Sequence, residues 1–296
     1  MYERQENETD FEYKLRLCKA KINKEIDLEW QEIINILGLD ISYDHLRKTA
    51  YGMIEYDNYI KKENDIAGMS KPRLVISDLH LPYAVNGWLD FIKDTYHKYN
   101  CQDEIIINGD LITFDAMSFH QKETDAPNGI DEYAITYDMV QQLVKAFPNA
   151  KMTIGNHDLL LVRQNKAIGI DKRFVKTLHE LFDLPATWTI ADDLVIDDVY
   201  YRHQGCSGGT NGARNSAVNN RMSTVVSHLH SFGGISFITN PNGDTIFGLN
   251  TGALIDDNSI SARYGKLNKQ KSTLGCGVVF NSQHAIFEPY ISSNYK

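Results

Sequence analysis

The stretch RLVISDLHLPY, residues Arg73 to Tyr83, is the part of the sequence from which the fold and the site follow. The run from Leu74 to Ser77 reads as a short buried strand. It leads directly into Asp78 and His80, which are one residue apart. Aspartate and histidine are good metal ligands, so a metal site is expected where this strand ends. A surface turn is the alternative for a pair that stands alone.

Four further apolar runs of the chain also end in side chains of these ligand types. The ends of adjacent strands converge in α/β folds, so these side chains are expected to gather at one site. The runs are EIIINGDLITFD with Asp110, KMTIGNHDLLL with Asn156, His157 and Asp158, VYYRHQG with His203, and TVVSHLHS with His228 and His230.

Size, charge and cysteine spacing restrict the class of protein. The 296 residues are 42% hydrophobic, which suits one large domain with a small appendage. The net charge of −9 disfavours broad adhesion to nucleic acid, but bound cations would still admit a phosphate-bearing substrate. No secretory signal or membrane span is evident. Four scattered cysteines without a C-x-x-C pair predict a reducing, cytoplasmic location.

The chain is expected to contain a helical unit at 1–62, a linker at 63–72 and a large domain at 73–296. Apolar side chains from Trp30 to Leu37 have helical spacing, Gly38 ends that helix, and Ser42 caps a second one. A helix, a glycine-containing turn and a helix resemble a helix-turn-helix, which could contact DNA or RNA. The second helix has mixed charge, which favours a docking or packing role over that contact.

After the linker, short strand-like runs alternate with helical ones, which is typical of an α/β fold with antiparallel pairs near the C-terminus. The segment Gln204–Asn215 is rich in glycine and is expected to be a flexible loop. The predicted helices are Gly87–Tyr99, Asp131–Ala146 and Asp171–Phe182. The predicted strands are Arg73–Ser77, Glu104–Asn108, Lys151–Gly155, Val199–His203, Thr224–Ser227, Ile235–Thr239, Thr245–Asn250, Gly277–Phe280 and Ala285–Glu288.

These motifs together resemble the calcineurin-like metallophosphoesterases, over about Arg73 to Pro289. The family signature is D-x-H, G-D-x-x-D, G-N-H-D/E, an isolated H and G-H-x-H, in that order. NGDLITFDAMSFH with GNHD is also similar to a branch often found in bacteriophage genomes. The resemblance implies a four-layer α/β/β/α sandwich beside the small helical, helix-turn-helix-like unit. The matching residues are Asp78-x-His80, Gly109-Asp110, Gly155-Asn156-His157-Asp158, His203 and His228-x-His230.

The resemblance also implies roles for these residues. Two divalent cations are expected, manganese first, with iron, zinc or nickel as alternatives, and a bridging hydroxide would attack the phosphate. His157 and Asp158 would be catalytic, His157 by protonating the leaving oxygen and Asp158 by fixing the tautomer of His157 or of a neighbouring ligand. The first metal would be bound by Asp78, His80 and His230, the second by Asn156, His203 and His228, with Asp110 bridging both.

Three positions depart from the signature without removing a ligand: Thr113 replaces the second aspartate of G-D-x-x-D, Gln204 follows His203, and Ser227 replaces the glycine of G-H-x-H. Because Thr113 replaces that aspartate, the sequence disfavours the protein phosphatases of this family. Further side chains that could contact a substrate are His120, Arg163, Arg202, Arg214 and Arg221.

The predicted function is hydrolysis of phosphodiesters in nucleic acid or nucleotides, in the host cytoplasm if the chain is phage-encoded. A phosphomonoesterase acting on a small metabolite or protein is one alternative. A DNA-binding protein that keeps the phosphoesterase fold only as a scaffold is another. No membrane partner is expected.

Overall fold

The computed structural model describes residues 4, 10–65, 71–118, 126–259 and 270–295, and for 10–12 and 55–65 the backbone alone. The chain divides into two compact units, Met1–Met69 and Ser70–Lys296. None of the helices in these ranges is long and apolar enough to cross a membrane.

The first unit contains the helices α1 (Asp10–Ile22), α2 (Trp30–Leu37) and α3 (Tyr43–Asp65). The predicted apolar face of α2 is confirmed, because Ile33 and Ile34 are buried. Gly38 ends α2 with a positive φ of 62°, and Ser42 Oγ accepts a hydrogen bond from the His45 amide at the start of α3. The small core of this unit contains Leu17, Cys18, Ile26, Ile33, Ile34, Leu46 and Ala50.

The second unit alternates helices with strands before it becomes mostly β. Its strands are β1 (Arg73–Ile76), β2 (Glu104–Asn108), β3 (Asn149–Thr153), β4 (Trp188–Ala191), β5 (Leu194–Ile196), β6 (Val199–Tyr201), β7 (Ser223–Val226), β8 (Gly233–Thr239), β9 (Thr245–Thr251), β10 (Gly275–Asn281) and β11 (His284–Pro289). Its α-helices are α4 (Trp88–Lys98), α5 (Gly129–Ala146), α6 (Leu160–Ala167), α7 (Leu178–Phe182) and α8 (Gly212–Asn220).

These strands form two sheets. The six-stranded sheet has the order β11-β10-β1-β2-β3-β4, in which β1 to β4 are parallel, β10 is antiparallel to β1, and β11 is antiparallel to β10. The five-stranded sheet has the order β5-β6-β7-β9-β8, in which β6, β7 and β9 are parallel. The carboxyl ends of the central strands of each sheet therefore share one edge, where α/β folds place their sites.

Alternating side chains of the strands separate the core into two layers. Leu74 and Ile76 of β1 face the helices α4 to α7, whereas Val75 between them faces the other sheet. Val75 and Ile106 lie in one cluster with Tyr201, Val225 and Phe247 of the five-stranded sheet. The outer face of that sheet is covered by α8, since a Cβ on Gly248 would collide with the backbone of Ala213. The α/β prediction, with helices outside two stacked sheets, is confirmed.

Several local predictions were wrong or incomplete. Asp171–Phe182 is not one helix: a 3₁₀ turn at Lys172–Phe174 is followed by α7, which starts anew because Thr177 and Glu180 form a capping box. Gln204–Asn215 is not all loop, because α8 begins at Gly212. The strand predicted at Lys151–Gly155 lies two residues earlier, as β3. The elements β4, β5 and α6 were not predicted.

Candidate metal centre

The ligand residues predicted from the sequence follow the carboxyl ends of five strands from both sheets. Asp78 follows β1, Asp110 follows β2 and Asn156 follows β3 in the six-stranded sheet. His203 and His228 follow β6 and β7 in the five-stranded sheet. Buried polar contacts join the two sheets at this edge, since Ser77 Oγ lies 2.7 Å from Thr251 Oγ1. The site is therefore formed where the two sheets meet.

Asp78, His80 and His230 form the first group of ligand atoms, here called the His80 cluster. His230 Nε2 lies 3.0 Å from Asp78 Oδ1 and 3.1 Å from His80 Nε2. Ligand atoms about 2.1 Å from one cation are about 3.0 to 3.4 Å apart in octahedral or tetrahedral geometry. His80 Nε2 lies somewhat farther, 3.9 Å, from Asp78 Oδ1. These spacings fit the coordination sphere of a divalent metal.

Asp110, His203 and His228 form a second group, the His203 cluster. His203 Nε2 lies 3.1 Å from Asp110 Oδ2, yet in the part of the chain that the structure describes both atoms are buried without a hydrogen-bond partner. Asn156 Oδ1 is buried and unpartnered in the same way. Asp110 Oδ2 and His203 Nε2 compensate each other as a charged pair, whereas the buried Asn156 oxygen has no partner among the described residues, which costs roughly 1 to 3 kcal/mol. A cation bound by all three would satisfy the Asn156 oxygen and replace the His203 proton, so these donors fit a metal as well.

Asp110 belongs to the His203 cluster and also lies close to the His80 cluster. Its Oδ2 is 3.1 Å from His203 Nε2 and 3.6 Å from His80 Nε2. Its Oδ1 accepts a 2.8 Å hydrogen bond from the His157 amide, which fixes the orientation of the carboxylate. A carboxylate held in this position can be shared by two binding sites.

The electrostatics of the metal-free clusters depend on these carboxylates. Burial opposes ionisation of Asp110, but the charges of His203 and His80 outweigh it and lower the Asp110 pKa to about 2. Burial likewise opposes protonation of His203, but Asp78 and Asp110 raise the His203 pKa to about 10. For His80 burial prevails and lowers the pKa to about 4. In the metal-free protein Asp110 therefore stays ionised and His203 stays protonated, and a bound cation would take the place of that proton.

His157 lies beside the His80 cluster without belonging to the predicted ligand set. Its ring centroid is 4.6 Å from that of His80, and it forms a further ligand-like group with His80 and Asp110. Its Nδ1 lies 3.0 Å from the carbonyl oxygen of Thr113. A carbonyl only accepts, so Nδ1 carries the hydrogen and Nε2 is left for chemistry.

The predicted role of Asp158 as the partner of a histidine was wrong. Its carboxylate accepts hydrogen bonds from the backbone amides of Asp110 and Gly155, at 2.9 and 2.8 Å, and at 3.4 Å from Ile112. Burial and the neighbouring charge of Asp110 raise the Asp158 pKa to about 7. Asp158 therefore joins the loops after β2 and β3, and it is the Thr113 carbonyl that fixes the tautomer of His157.

Three residues that support the ligands were not identified from the sequence. Asn108 and Ser227 both contact His203 Nδ1, the first through its carbonyl at 2.9 Å and the second through Oγ at 3.1 Å. Thr113 Oγ1 lies 3.2 Å from His80 Nδ1. Such partners orient a ligating imidazole so that its other nitrogen faces the metal. Their only sequence signal was a small polar residue beside each ligand.

Two positions at this edge require glycine because the neighbouring loops approach the backbone closely there. A Cβ on Gly109, whose φ is 82°, would collide with the His203 ring, and one on Gly155 would collide with Asp110. The glycines of the G-D and G-N-H-D motifs therefore allow the loops after β2, β3 and β6 to meet.

The predicted substrate contacts are not part of either cluster. Arg163 is exposed on α6, and Arg214 is exposed on α8. Arg202 is exposed after β6, and Arg221 ends α8 in a left-handed conformation. His120 lies outside the described residues.

Comparison with known families agrees with this geometry. A family model described as calcineurin-like phosphoesterase matches residues 71–270, which is more than half of the chain. The chain belongs to the calcineurin-like phosphoesterase family. No curated protein matched the sequence.

The phosphoesterase has the donor set that a divalent metal requires. Carboxylate, imidazole and amide oxygen ligands without thiolate suit divalent first-row cations, and Asp110 and His203, which carry two of the unpartnered donor atoms, belong to one cluster. Family and donor set together support a metal-dependent phosphoric ester hydrolase.

Proposed function

We propose that this phosphoesterase hydrolyses phosphodiesters of nucleic acid or nucleotides with two divalent cations. The His80 cluster would bind one cation, and the His203 cluster with Asn156 would bind the other. The observation that carries this proposal is that Asp110 Oδ2, Asn156 Oδ1 and His203 Nε2 are buried and form no hydrogen bond to the residues that the structure describes. Asp110 would bridge the cations, since its Oδ2 faces the Nε2 atoms of both His203 and His80.

The cations, when bound, supply an activated water and charge stabilisation on the phosphate. Asp110 would contribute negative charge to both cation sites, since its Oδ2 lies within 3.6 Å of His203 Nε2 and of His80 Nε2. His157 Nδ1 is engaged by Thr113, so His157 Nε2 can donate a proton to the leaving oxygen when the ring is charged. Asp158 keeps the loop that carries Asn156 and His157 against Asp110.

Manganese is the proposed metal, with iron, zinc or nickel as alternatives, because imidazole and oxygen donors suit all four. The proposed compartment is the cytoplasm, supported by four cysteines that form no disulfide.

A polymeric substrate is supported by the helical unit. Arg47, Lys48 and Tyr51 are exposed on α3, which follows α2 after a turn that begins at Gly38. We propose that this face contacts DNA, although Arg47 is partly neutralised by Asp44 at 3.4 Å. A gel-shift assay of a fragment that ends near Lys71 tests this contact, and no shift would remove the helical unit from the proposal.

The catalytic assignment is tested by release of p-nitrophenol from bis-p-nitrophenyl phosphate with manganese. We expect Asp110→Asn to lose activity together with bound metal. His157→Ala should keep its metal and lose about 100- to 10,000-fold in kcat, the usual contribution of a general acid. His284→Ala, an exposed histidine at the start of β11, is the matched control. Equal activity of Asp110→Asn, His157→Ala and the wild type would reject the assignment.

The substrate class is tested with single-stranded, duplex and cyclic-nucleotide substrates alongside p-nitrophenyl phosphate. A higher kcat/KM for the monoester than for every diester would favour the phosphomonoesterase alternative.

A further inference from the structure

A surface of distinctive composition begins immediately after the metal centre. Residues 159–176, here called the 159–176 surface, comprise α6 and the 3₁₀ turn that follows it. Their side chains include five basic residues and one acidic residue, in a chain of net charge −9. All five basic residues are exposed: Arg163, Lys166, Lys172, Arg173 and Lys176.

Large apolar side chains are exposed among these cations. Phe174 is 81% exposed and Ile168 is 73% exposed, more than most apolar side chains of their size. Phe174 is the last residue of the 3₁₀ turn, and Asp171 caps that turn by accepting a 2.9 Å hydrogen bond from the Arg173 amide. The exposed aromatic ring therefore belongs to an ordered turn.

The lysines of this surface are available for an anionic ligand. Arg173 is paired with Asp171 at 3.0 Å. Lys166, Lys172 and Lys176, by contrast, form no ion pair with any residue that the structure describes. Three such cations on the same segment as an exposed aromatic ring complement a polyanion that carries planar bases.

The 159–176 surface is continuous with the metal centre. The amide of Leu160, the first residue of α6, donates a 2.9 Å hydrogen bond to the His157 carbonyl. A cavity of about 310 Å³ is lined by Asp158 as well as by Val162 and Lys176 of this surface. The remaining lining is mostly apolar, including Phe114 and Leu178. By the rise of an α-helix, α6 extends about 12 Å from Leu160.

We propose that the 159–176 surface binds single-stranded nucleic acid and leads it to the metal centre. This inference rests on the proposed phosphodiesterase function for its substrate class. The lysines would contact phosphates, and the Phe174 ring would stack on a base. A single strand is favoured over a duplex because only unpaired bases offer their faces to an exposed ring.

The test measures binding of fluorescein-labelled dT15 by fluorescence anisotropy, using the full chain with manganese. A His157→Ala background keeps the proposed ligands and slows cleavage. We expect Phe174→Ala to weaken binding about 5- to 30-fold, and Phe174→Trp to retain it, because base stacking needs an aromatic face. Replacing Lys166 and Lys172 by alanine should reduce the slope of log K against log salt by about 0.7 for each lost phosphate contact.

Matched controls are Phe237→Ala, an aromatic ring 51% exposed on β8, and Lys145→Ala, an exposed lysine in the last turn of α5. Both should bind dT15 as the parent protein does. The inference is overturned if Phe174→Ala binds dT15 like the controls, or if the parent protein does not bind dT15 at all. The inference is also overturned if Phe174→Ala loses binding to anionic phospholipid vesicles but keeps its binding to dT15. That result would indicate that the surface binds a membrane.

Failure of this inference can be separated from failure of the proposed function. Hydrolysis of bis-p-nitrophenyl phosphate needs the metal centre and no polymer surface. With His157 intact, Phe174→Ala should therefore hydrolyse this small diester as the wild type does. A wild type that fails to hydrolyse it would reject the proposed function, whatever the oligonucleotide measurements show.

Discussion

Four of the proposed ligand residues have backbones in the left-handed region. The φ angles are 48° for Asp78, 47° for His80, 49° for Asp110 and 72° for His228. This conformation costs roughly 1 to 2 kcal/mol for a residue that is not glycine. Such strain is typical of functional sites, where surrounding contacts maintain it. Here it turns the side chains at the strand ends towards a common centre.

At the residue scale, metal binding should release protons. Asp78 and Asp110 raise the His203 pKa to about 10 despite burial, so His203 is protonated at pH 7 in the metal-free protein. A ligating imidazole must lose that proton, so metal affinity should rise with pH from 7 and level off above about 10. Isothermal titration calorimetry with manganese at pH 7, in buffers of different ionisation enthalpy, counts the protons. Binding without proton release would contradict the His203 assignment.

Gly155 provides a second test at this scale. A Cβ at this position would collide with the Asp110 carboxylate and backbone, so Gly155→Ala should displace Asp110 and destabilise the fold by about 1 to 3 kcal/mol. The control is Gly208→Ala, because a Cβ at Gly208 meets no atom within 4 Å in the part of the chain that the structure describes. Thermal unfolding and metal content are measured for both variants. Normal metal content in Gly155→Ala would contradict the close contact between Gly155 and Asp110.

At the scale of elements, the stability of the helices in the first unit depends on where their glycines lie. Gly38 has the left-handed conformation that ends α2, with a φ of 62°. Gly52 lies inside α3, where a Cβ would meet no atom of the described residues within 4 Å. The same substitution should therefore have opposite effects at the two positions.

We expect Gly38→Ala to destabilise the first unit by about 1 kcal/mol, because alanine is strained at positive φ. Gly52→Ala should stabilise it by about 1 kcal/mol, because alanine has the higher helix propensity. Hydrogen exchange of the α2 and α3 amides measures both effects. Protection that changes in the same direction in both variants would contradict this account.

At the scale of the whole molecule, the metal centre lies where two sheets must remain together. Asn108 of β2 donates a 3.1 Å hydrogen bond to Ser227 Oγ, which follows β7 of the other sheet. His228 donates its backbone amide to Asp78 Oδ2 at 3.2 Å, across the same junction. A cation bound by residues from both sheets would add to these contacts.

Metal removal should therefore destabilise the second unit. A ligand that binds only the folded state stabilises it by about 2.7 kcal/mol at one hundred times its dissociation constant. We expect the Tm to rise with manganese and to fall with EDTA. Asp110→Asn should show no such change. An equal Tm in manganese and in EDTA would contradict metal binding by the native fold.

The sequence by itself determined the ligand types and their order, because each follows a buried run whose strand character is local. Asp78, Asp110 and His228 were proposed as ligands in this way, and the α/β class predicted from the same runs was confirmed. The metal count, the nucleic-acid substrate and the bacteriophage branch stay predictions. Short or glycine-containing elements were missed, as at β5 and α8, because their local patterns are also those of loops.

The tertiary structure alone decided which groups meet. Asp158 binds the backbone amide of Asp110, 48 positions away, although the sequence pattern suggested a histidine partner. His203 contacts Asn108 and Ser227 only because two sheets stack with their strand ends on one edge. Contacts between distant segments depend on packing and loop closure, which no local pattern encodes. The 159–176 surface also became apparent only in the tertiary structure, because the exposure of a side chain depends on which residues the fold covers.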